Sequence, residues 1–285
     1  MSLKQQIERS FSKLNVLERL IAVMVVLFIL PLLINTLLFL FNSSAAGWLR
    51  FLELSAAISE LIYKPWTLIS YGFFHGSFGH IFWNMLLLYI SGGLMLNLFK
   101  TKLLLNTFFV GIIAGGLVYI GSYNLFPAFH GTKSALIGSS AGVMAVLVFM
   151  ASYMPNSPIR VFVFSIPIKY IALFFIFLDV IQIPVSNAGG HLAHLGGAAW
   201  GYIYQREFLK GNDIGAWFMR FIEQLNSFFS SSKKPKRQKR KKSTKTTTTG
   251  IDQQKIDQIL DKIAASGYES LTKQEKEYLF RAGKE

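Results

Sequence analysis

The sequence predicts an all-α polytopic membrane protein, in which a bundle of six transmembrane helices is followed by a small soluble helical hairpin. Hydrophobic residues make up 52% of the 285-residue chain and charged residues only 15%, whereas about a quarter of the residues of a soluble domain are charged. Apolar stretches suited to a hydrocarbon core about 30 Å thick recur six times. The fourth stretch is too short to cross that core, which directs attention to the residues at its start.

The six apolar stretches set the expected domain limits. They are Leu17 to Phe41, Phe78 to Phe99, Leu103 to Leu125, Ala141 to Met154, Ile168 to Pro184 and Gly190 to Phe208. We therefore expect a cytoplasmic N-terminus at residues 1–16 and a six-helix domain at residues 17–210. A basic, Thr-rich juxtamembrane linker is expected at residues 211–250, and a cytoplasmic helical hairpin at residues 251–285.

Basic residues indicate how the spans are oriented, because cytoplasmic loops carry an excess of Lys and Arg. With six spans, the basic N-terminus, the turn with Lys100 and Lys102, the turn with Arg160 and Lys169, and the tail all lie on one side. Both termini are therefore expected in the cytoplasm.

The tail carries the densest positive charge. The formal net charge of the chain is +14, and the Lys and Arg run at residues 233–242 supplies much of it. Such a run binds either anionic lipid or nucleic acid. Because the run follows a membrane span, we expect anionic lipid as its partner and no nucleic acid.

Two short helices are predicted at the end of the chain. Isoleucine and leucine recur at helical spacing within residues 251–265, and Gly267 can end that helix. The segment from Thr272 to Glu275 has the form of a capping box that starts a second helix. The residues of this hairpin do not indicate its partner.

The fourth helix is predicted to have a buried start. The 15 residues from Ser140 to Met154 cover only about 22 Å at 1.5 Å per residue. With Pro155 at the cytoplasmic surface, Ser140 lies below the outer surface, and residues 133–139 enter the membrane as irregular backbone. Such backbone is tolerated only where protein buries it or water hydrates it. The sequence thus predicts a water-filled cavity with Ser140 at its floor.

Ser140 stands among small residues, in Gly138-Ser139-Ser140-Ala141-Gly142. The start of a helix gathers backbone N–H donors and the positive end of the helix dipole, which suit a nucleophilic serine. Small residues such as Ala141 and Gly142 also form close packing faces in membrane helices, so a packing role stands beside the catalytic one. The G-x-S-x-G elbow of soluble hydrolases would require a strand before the serine.

Histidines near the outer ends of spans two and six favour the catalytic interpretation, because an ionisable group inside a membrane is by default a hypothesis of function. His194 shares a helix face with Gly197 and Gly201, whose missing side chains let another helix approach closely. Ala141 and Ala145 offer a matching small pair on the fourth helix. Such close approach is what a serine–imidazole hydrogen bond requires.

His80 and Asn84 are four residues apart, so their side chains lie on one face of span two. Imidazole and carboxamide donors on a single face suit the stabilisation of an oxyanion. His75 precedes them, and we expect it to have a local structural role.

Carboxylates are nearly absent from the spans. Between Leu61 and Arg206 the only acidic residue is Asp179, so a Ser-His-Asp triad would have to use it. Asp179 stands near the outer end of span five, where it can reach water, and we expect a Ser-His dyad instead. The chain has no cysteine, no H-E-x-x-H motif and no Glu in the same interval. We therefore expect neither a catalytic metal nor a cofactor.

Together these residues resemble the rhomboid family of intramembrane serine proteases over roughly residues 15–210. The resemblance rests on three motifs, which are His75-x4-His80-x3-Asn84, Gly138-Ser139-Ser140 and Ala193-His194-Leu195-Gly196-Gly197. It implies a six-helix rhomboid bundle of the bacterial type, located in the inner membrane. The small C-terminal cytoplasmic extension is similar to that of some bacterial members.

The resemblance also implies the roles of the site residues. It makes Ser140 the nucleophile and His194 the general base, while His80, Asn84 and the Ser140 amide form the oxyanion site. Four features depart from the family pattern. Ala141 replaces the usual Gly, and Met144 replaces an aromatic residue that commonly stacks on the histidine. Thr67 follows Trp66 where the family often has Arg, and the Glu that often follows Gly-Gly in span two is missing after Gly93.

The expected function is therefore that of an intramembrane serine endopeptidase that cleaves transmembrane segments of other membrane proteins. The alternative is a catalytically inactive relative that binds and escorts membrane clients, although Ser140 and His194 are both present. A transporter would show charged or inverted-repeat features at mid-membrane, and the sequence shows neither.

Overall fold

The computed structural model describes residues 2–43, 47–161, 163–229 and 253–282. The chain forms two compact units, Met1–Phe229 and Ser230–Glu285. The basic run at residues 233–242 and the Thr-rich segment that follows it lie outside the described residues.

Helices dominate both units. In chain order they are α1 (Leu3–Lys13), α2 (Val16–Leu40), α3 (Ile58–Tyr63), α4 (Thr67–Ser70), α5 (Phe78–Leu98), α6 (Thr101–Leu125), α7 (Ser140–Tyr153), α8 (Ile168–Gln182), α9 (Ala188–Leu209), α10 (Ala216–Phe229), α11 (Gln253–Ser266) and α12 (Lys273–Ala282). The six predicted spans correspond to α2 and to α5 through α9. The prediction of an all-α polytopic bundle is therefore confirmed.

The helices differ in how well they suit a bilayer. Within the described residues, α2, α5 and α6 are long and apolar enough to cross a membrane. Helices α7 and α8 have 14 and 15 residues, which corresponds to only about 21 and 22 Å. Helix α9 has 22 residues, but its glycines and histidines make it less apolar than α2, α5 and α6.

Helix α7 is the centre of the bundle. It packs against α5, α6, α8 and α9, and every residue from Ala141 to Ala151 is buried. Because protein surrounds it, α7 has no need of the length that a lipid-facing helix requires.

The segment before α7 is more regular than the sequence predicts. Strand β2 (Ala135–Leu136) pairs antiparallel with strand β1 (Leu54–Ser55). Beyond it, the Gly138 N–H donates to the Tyr71 carbonyl at 3.0 Å. The expectation of irregular backbone is thus wrong for residues 135–136, because the backbone of β1 forms hydrogen bonds with them. A second two-stranded antiparallel sheet, β3 (Pro158–Val161) with β4 (Phe164–Pro167), joins α7 to α8.

Four helices, α1, α3, α4 and α10, lie outside the six predicted spans and the predicted hairpin. Helix α1 lies in the predicted N-terminus, and its capping box, in which Ser2 and Gln5 bond each other's backbone N–H, is a signal readable from the sequence. Helix α10 lies in the predicted linker. The first unit extends to Phe229, so the linker limit of 211 is wrong: residues 216–229 are held to the bundle by Phe218, which is buried.

In the second unit, α11 and α12 form the predicted hairpin. The Glu275 carboxylate accepts hydrogen bonds from the Thr272 N–H at 2.7 Å and from Lys262 Nζ at 2.9 Å. The Glu275 N–H donates to Thr272 Oγ1 at 3.3 Å, which completes the predicted capping box. Ile259 and Leu271 are buried in this unit.

Candidate active site

A cavity of about 290 Å³ lies beside the start of α7. Helices α5, α7, α8 and α9 form its wall, which consists of Gly79, His80, Trp83, Asn84, Leu87, Ser140, Val143, Met144, Phe175 and His194. The four residues predicted to carry the chemistry, Ser140, His194, His80 and Asn84, therefore share one cavity. At about 30 Å³ per water molecule the space admits several waters. A larger cavity of about 930 Å³ lies among the loops around Glu53 and Lys133 and is lined by none of these four.

The structure separates the two serines of the Gly-Ser-Ser motif. Ser139 is fully buried, and its Oγ lies 3.1 Å from His75 Nε2. Ser140 is the first residue of α7 and lines the cavity. The backbone N–H groups of the first helical turn have no partner inside the helix, so they and the helix dipole favour negative charge at this point. His75 thus contacts the residue before the candidate nucleophile.

Gly138 permits the close approach of His80 to Ser140. Its φ of +126° belongs to a region that side chains disfavour. A Cβ at this position would lie 2.6 Å from His80 Nε2 and 3.6 Å from Ser140 Oγ. Any larger residue would therefore displace the imidazole from the cavity wall.

Helices α7 and α9 are in backbone contact. A Cβ added to Gly197 would lie 2.0 Å from the carbonyl oxygen of Ala141, and one added to Gly201 would lie 2.2 Å from that of Ala145. Two glycines one helical turn apart thus bring α9, with His194, against the start of α7.

Gly142 and helix α6 form the other side of this contact. A Cβ at Gly142 would lie 2.8 Å from the Phe108 carbonyl oxygen. On α6, a Cβ at Gly111 or Gly115 would lie 2.4 Å from the Cβ of Ala145 or Ala141, respectively. Neither α6 glycine is among the predicted packing residues, although their G-x-x-x-G spacing is a recognised signal for close helix packing.

The environment of Asp179 differs from the predicted one. It is only 5% exposed, and its Oδ1 lies 2.7 Å from His194 Nδ1 and 2.8 Å from His191 Nδ1. The expectations that Asp179 reaches water and that no carboxylate orients the imidazole are therefore wrong. The reversal of the chain between α8 and α9 turns Asp179 towards both histidines, which the linear sequence does not reveal.

The contact with Asp179 determines what His194 can do. If His194 Nδ1–H donates to Asp179, the lone pair of Nε2 is free to accept a proton. In the described part of the chain, Ser140 Oγ and His194 form no hydrogen bond. Such bonds are often long in substrate-free enzymes and tighten only when substrate binds.

Asp179, His191 and His194 also bring three potential metal ligands within 4.8 Å of one another. Around a zinc ion with bonds of about 2.1 Å, tetrahedral donors lie about 3.4 Å apart. The Asp179 oxygen is closer than that to both nitrogens, so the observed geometry is that of two hydrogen bonds.

The fold and the cavity define a class of multi-pass helical membrane protein with serine and histidine side chains gathered inside the bundle. The model of the Rhomboid domain matches residues 63–210, which is 148 of 285 residues. The chain therefore belongs to the rhomboid family, whose members are serine intramembrane proteases and their inactive relatives.

The C-terminal unit has its own match. Residues 250–284 match a family of unknown function, DUF6576. No curated protein matches the chain.

Proposed function

We propose that this rhomboid is an active intramembrane serine endopeptidase, with Ser140 as nucleophile and His194 as general base. The observation that supports this most is the shared cavity: Ser140, His194, His80 and Asn84 come from three helices and line one wall. Both termini lie in the cytoplasm in this proposal, and the substrates are transmembrane segments of other membrane proteins.

The first half of the reaction forms an acyl-enzyme. Ser140 Oγ attacks the scissile carbonyl carbon while His194 Nε2 takes the serine proton. The negative charge on the tetrahedral oxygen is stabilised by the Ser140 N–H, by His80 and by Asn84. Asn84 Nδ2 donates to the His80 carbonyl at 2.9 Å, which leaves its second N–H for the oxyanion. The C–N bond then breaks, and His194 gives the proton to the leaving amine.

The second half of the reaction releases the acyl group. A water molecule in the cavity attacks the ester carbonyl, His194 accepts a proton from that water, and the same oxyanion donors act again. Collapse of the tetrahedral intermediate breaks the ester C–O bond and returns the proton to Ser140. Asp179 acts through His194 as a positioning residue, because its carboxylate fixes the ring and stabilises the imidazolium that forms in each half-reaction.

Cleavage of a model transmembrane substrate by the purified protein tests the proposal. Wild type is expected to cleave, whereas Ser140→Ala is expected to show no cleavage. Ser139→Ala is the matched control: it removes the neighbouring hydroxyl, which lies outside the cavity wall and contacts His75, so the nucleophile is retained. Equal cleavage by wild type and Ser140→Ala would refute the proposal.

Fluorophosphonate labelling distinguishes the protease from an inactive relative that escorts membrane clients. Labelling of wild type and Ser139→Ala, but not of Ser140→Ala or His194→Ala, supports an activated Ser140. A wild-type protein that is folded yet takes up no label and cleaves nothing would instead support the escort function.

A further inference from the structure

Helix α10 packs against the bundle, beside the first turns of α6. The Phe218 and Phe109 rings stack with centroids 5.2 Å apart. One residue later, the Met219 N–H donates to Asn106 Oδ1 at 3.2 Å. Further along, Glu223 pairs with Lys102 at 2.6 Å. Helix α10 therefore runs antiparallel to α6, towards the end of α6 that carries Lys102.

These contacts place the start of α10 at the depth of the hydrocarbon core. Asn106 and Phe109 are five and eight residues into α6, which corresponds to about 8 and 12 Å along an apolar span. The chain leaves α9 at Leu209 and then turns back to the level of Tyr204, whose hydroxyl donates to Asp213. The segment before α10 is therefore re-entrant.

One face of α10 is apolar and about half exposed in the described part of the chain. Trp217, Phe221 and Leu225 recur every four residues, so they share a face. Their exposed fractions are 47%, 50% and 39%. Trp217 and Phe221 lie at the level where α10 contacts α6, and Leu225 lies beyond Lys102, towards the membrane surface.

The charge pattern agrees with a bilayer as the occupant of this face. The polar side of α10 holds Arg220 and Glu223, and Glu223 bonds Lys102 at the end of α6. The Lys and Arg run at residues 233–242 follows shortly after the helix. Aromatic and aliphatic residues on one face of a helix at this depth suit the acyl chains of one leaflet, and the basic segment that follows suits its anionic headgroups.

We propose that α10 is a lipid-embedded anchor whose Trp217, Phe221 and Leu225 face contacts the acyl chains of the leaflet next to the basic tail. This role also explains a buried polar residue in a span: Asn106, which is 1% exposed, accepts from a backbone N–H of α10 that acyl chains could not satisfy. The anchor rests on membership in the family and on the packing of α10, and it is independent of proteolysis.

Spin-label accessibility tests the anchor, and the cysteine-free chain permits single labels. Trp217→Cys, Phe221→Cys and Leu225→Cys report on the apolar face, while Asn226→Cys and Ser227→Cys, exposed positions beyond the level of Lys102, are controls outside it. The vesicles contain phosphatidylcholine with about 25% phosphatidylglycerol, which supplies anionic headgroups. In them, the three reporters are expected to be readily accessible to oxygen and poorly accessible to a water-soluble nickel chelate. The controls are expected to show the reverse pattern.

Each departure from this pattern overturns the proposal. Ready access of the nickel chelate to all three reporters would mean that the face is in water. Exclusion of both reagents from all three would mean that protein covers the face, either a second copy or another part of the chain. In vesicles of phosphatidylcholine alone the pattern is expected to persist, since the contact is apolar. Its loss there would assign the attachment to the basic run and not to α10.

Discussion

Asp179 is an acidic residue with a buried side chain in helix α8, 5% exposed. A carboxylate within a membrane helix costs about 2.5–3.5 kcal/mol on insertion scales, which is largely the cost of removing it from water. Here one oxygen is shared by His191 and His194, and Oδ2 has no hydrogen-bond partner in the described part of the chain. The contact with His194 is the reason for proposing that Asp179 orients the imidazole.

Replacing Asp179 by Asn is expected to lower kcat and leave KM nearly unchanged. The amide can present its NH₂ group to His194 Nδ1, which favours the tautomer whose Nε2 carries the proton and cannot act as base. The equivalent change in a soluble triad lowers kcat by about 10⁴, and we expect a loss between about tenfold and that limit. Steady-state cleavage of a transmembrane substrate gives both constants.

His191→Ala is the matched control for Asp179→Asn. It removes the second imidazole from the same oxygen, and the bond between Asp179 and His194 is retained, so kcat is expected to stay within a few-fold of wild type. If Asp179→Asn raised KM and spared kcat, or if His191→Ala and Asp179→Asn were equally impaired, Asp179 would have a structural role only.

At the level of elements, the site depends on how closely α7 and α9 approach. Gly201→Ala would put a Cβ 2.2 Å from a carbonyl oxygen, so the two helices would have to separate. Overpacking of this kind costs about 1–3 kcal/mol, and separation also moves His194 from Ser140. We expect a lower unfolding temperature in detergent together with reduced cleavage.

Gly121→Ala is the control for this change. Gly121 is also a helical glycine, in α6, and a Cβ there would have no atom within 4 Å. Because Ala favours a helix over Gly by about 1 kcal/mol, this variant is expected to be as stable as wild type or more so. Equal behaviour of the two variants would contradict the close-packing argument.

The capping box of α12 is expected to weaken in acid. Hydrogen bonds from the Thr272 backbone N–H, and then from Lys262, lower the pKa of Glu275 from 4.5 to about 2. A carboxyl group with a lowered pKa stabilises the folded state above its unfolded pKa, and this contribution is lost as the pH falls from 4.5 towards 2. Hydrogen exchange of the intact protein, corrected for the intrinsic rates, should show reduced protection at the start of α12 over that range. In Glu275→Gln the protection should already be low at pH 6 and should change little with acid.

At the level of the whole molecule, the proposed orientation predicts which loops are reachable from outside the cell. A membrane-impermeant maleimide applied to intact cells is expected to label Ser59→Cys and Thr132→Cys. Ser12→Cys and Asn156→Cys are expected to react only after lysis, because their segments lie on the side with excess Lys and Arg. The absence of native cysteine makes each signal specific, and the opposite labelling pattern would reverse the topology.

The fold was predictable because its signals are local. Apolar length alone located α2, α5 and α6, and the shortness of the stretch after Ser140 indicated an enclosed α7. The same reasoning missed α10, because the basic composition of the following residues obscured a short amphipathic stretch that starts at Ala216. Apolar length identifies helices that face lipid on all sides and is a weaker guide to helices that lie along the surface.

The sequence by itself determined the family, the helix order and the candidate residues Ser140, His194, His80 and Asn84, since each depends on residue type and on spacing along one helix. Only the tertiary structure decided that Ser140 and not Ser139 lines the cavity, that Asp179 bonds His194, and that α10 turns back beside α6. Each of these depends on contacts between separate helices. The distances between side chains of different helices depend on the path of the chain between those helices. That path results from the packing of many side chains and not from any local pattern.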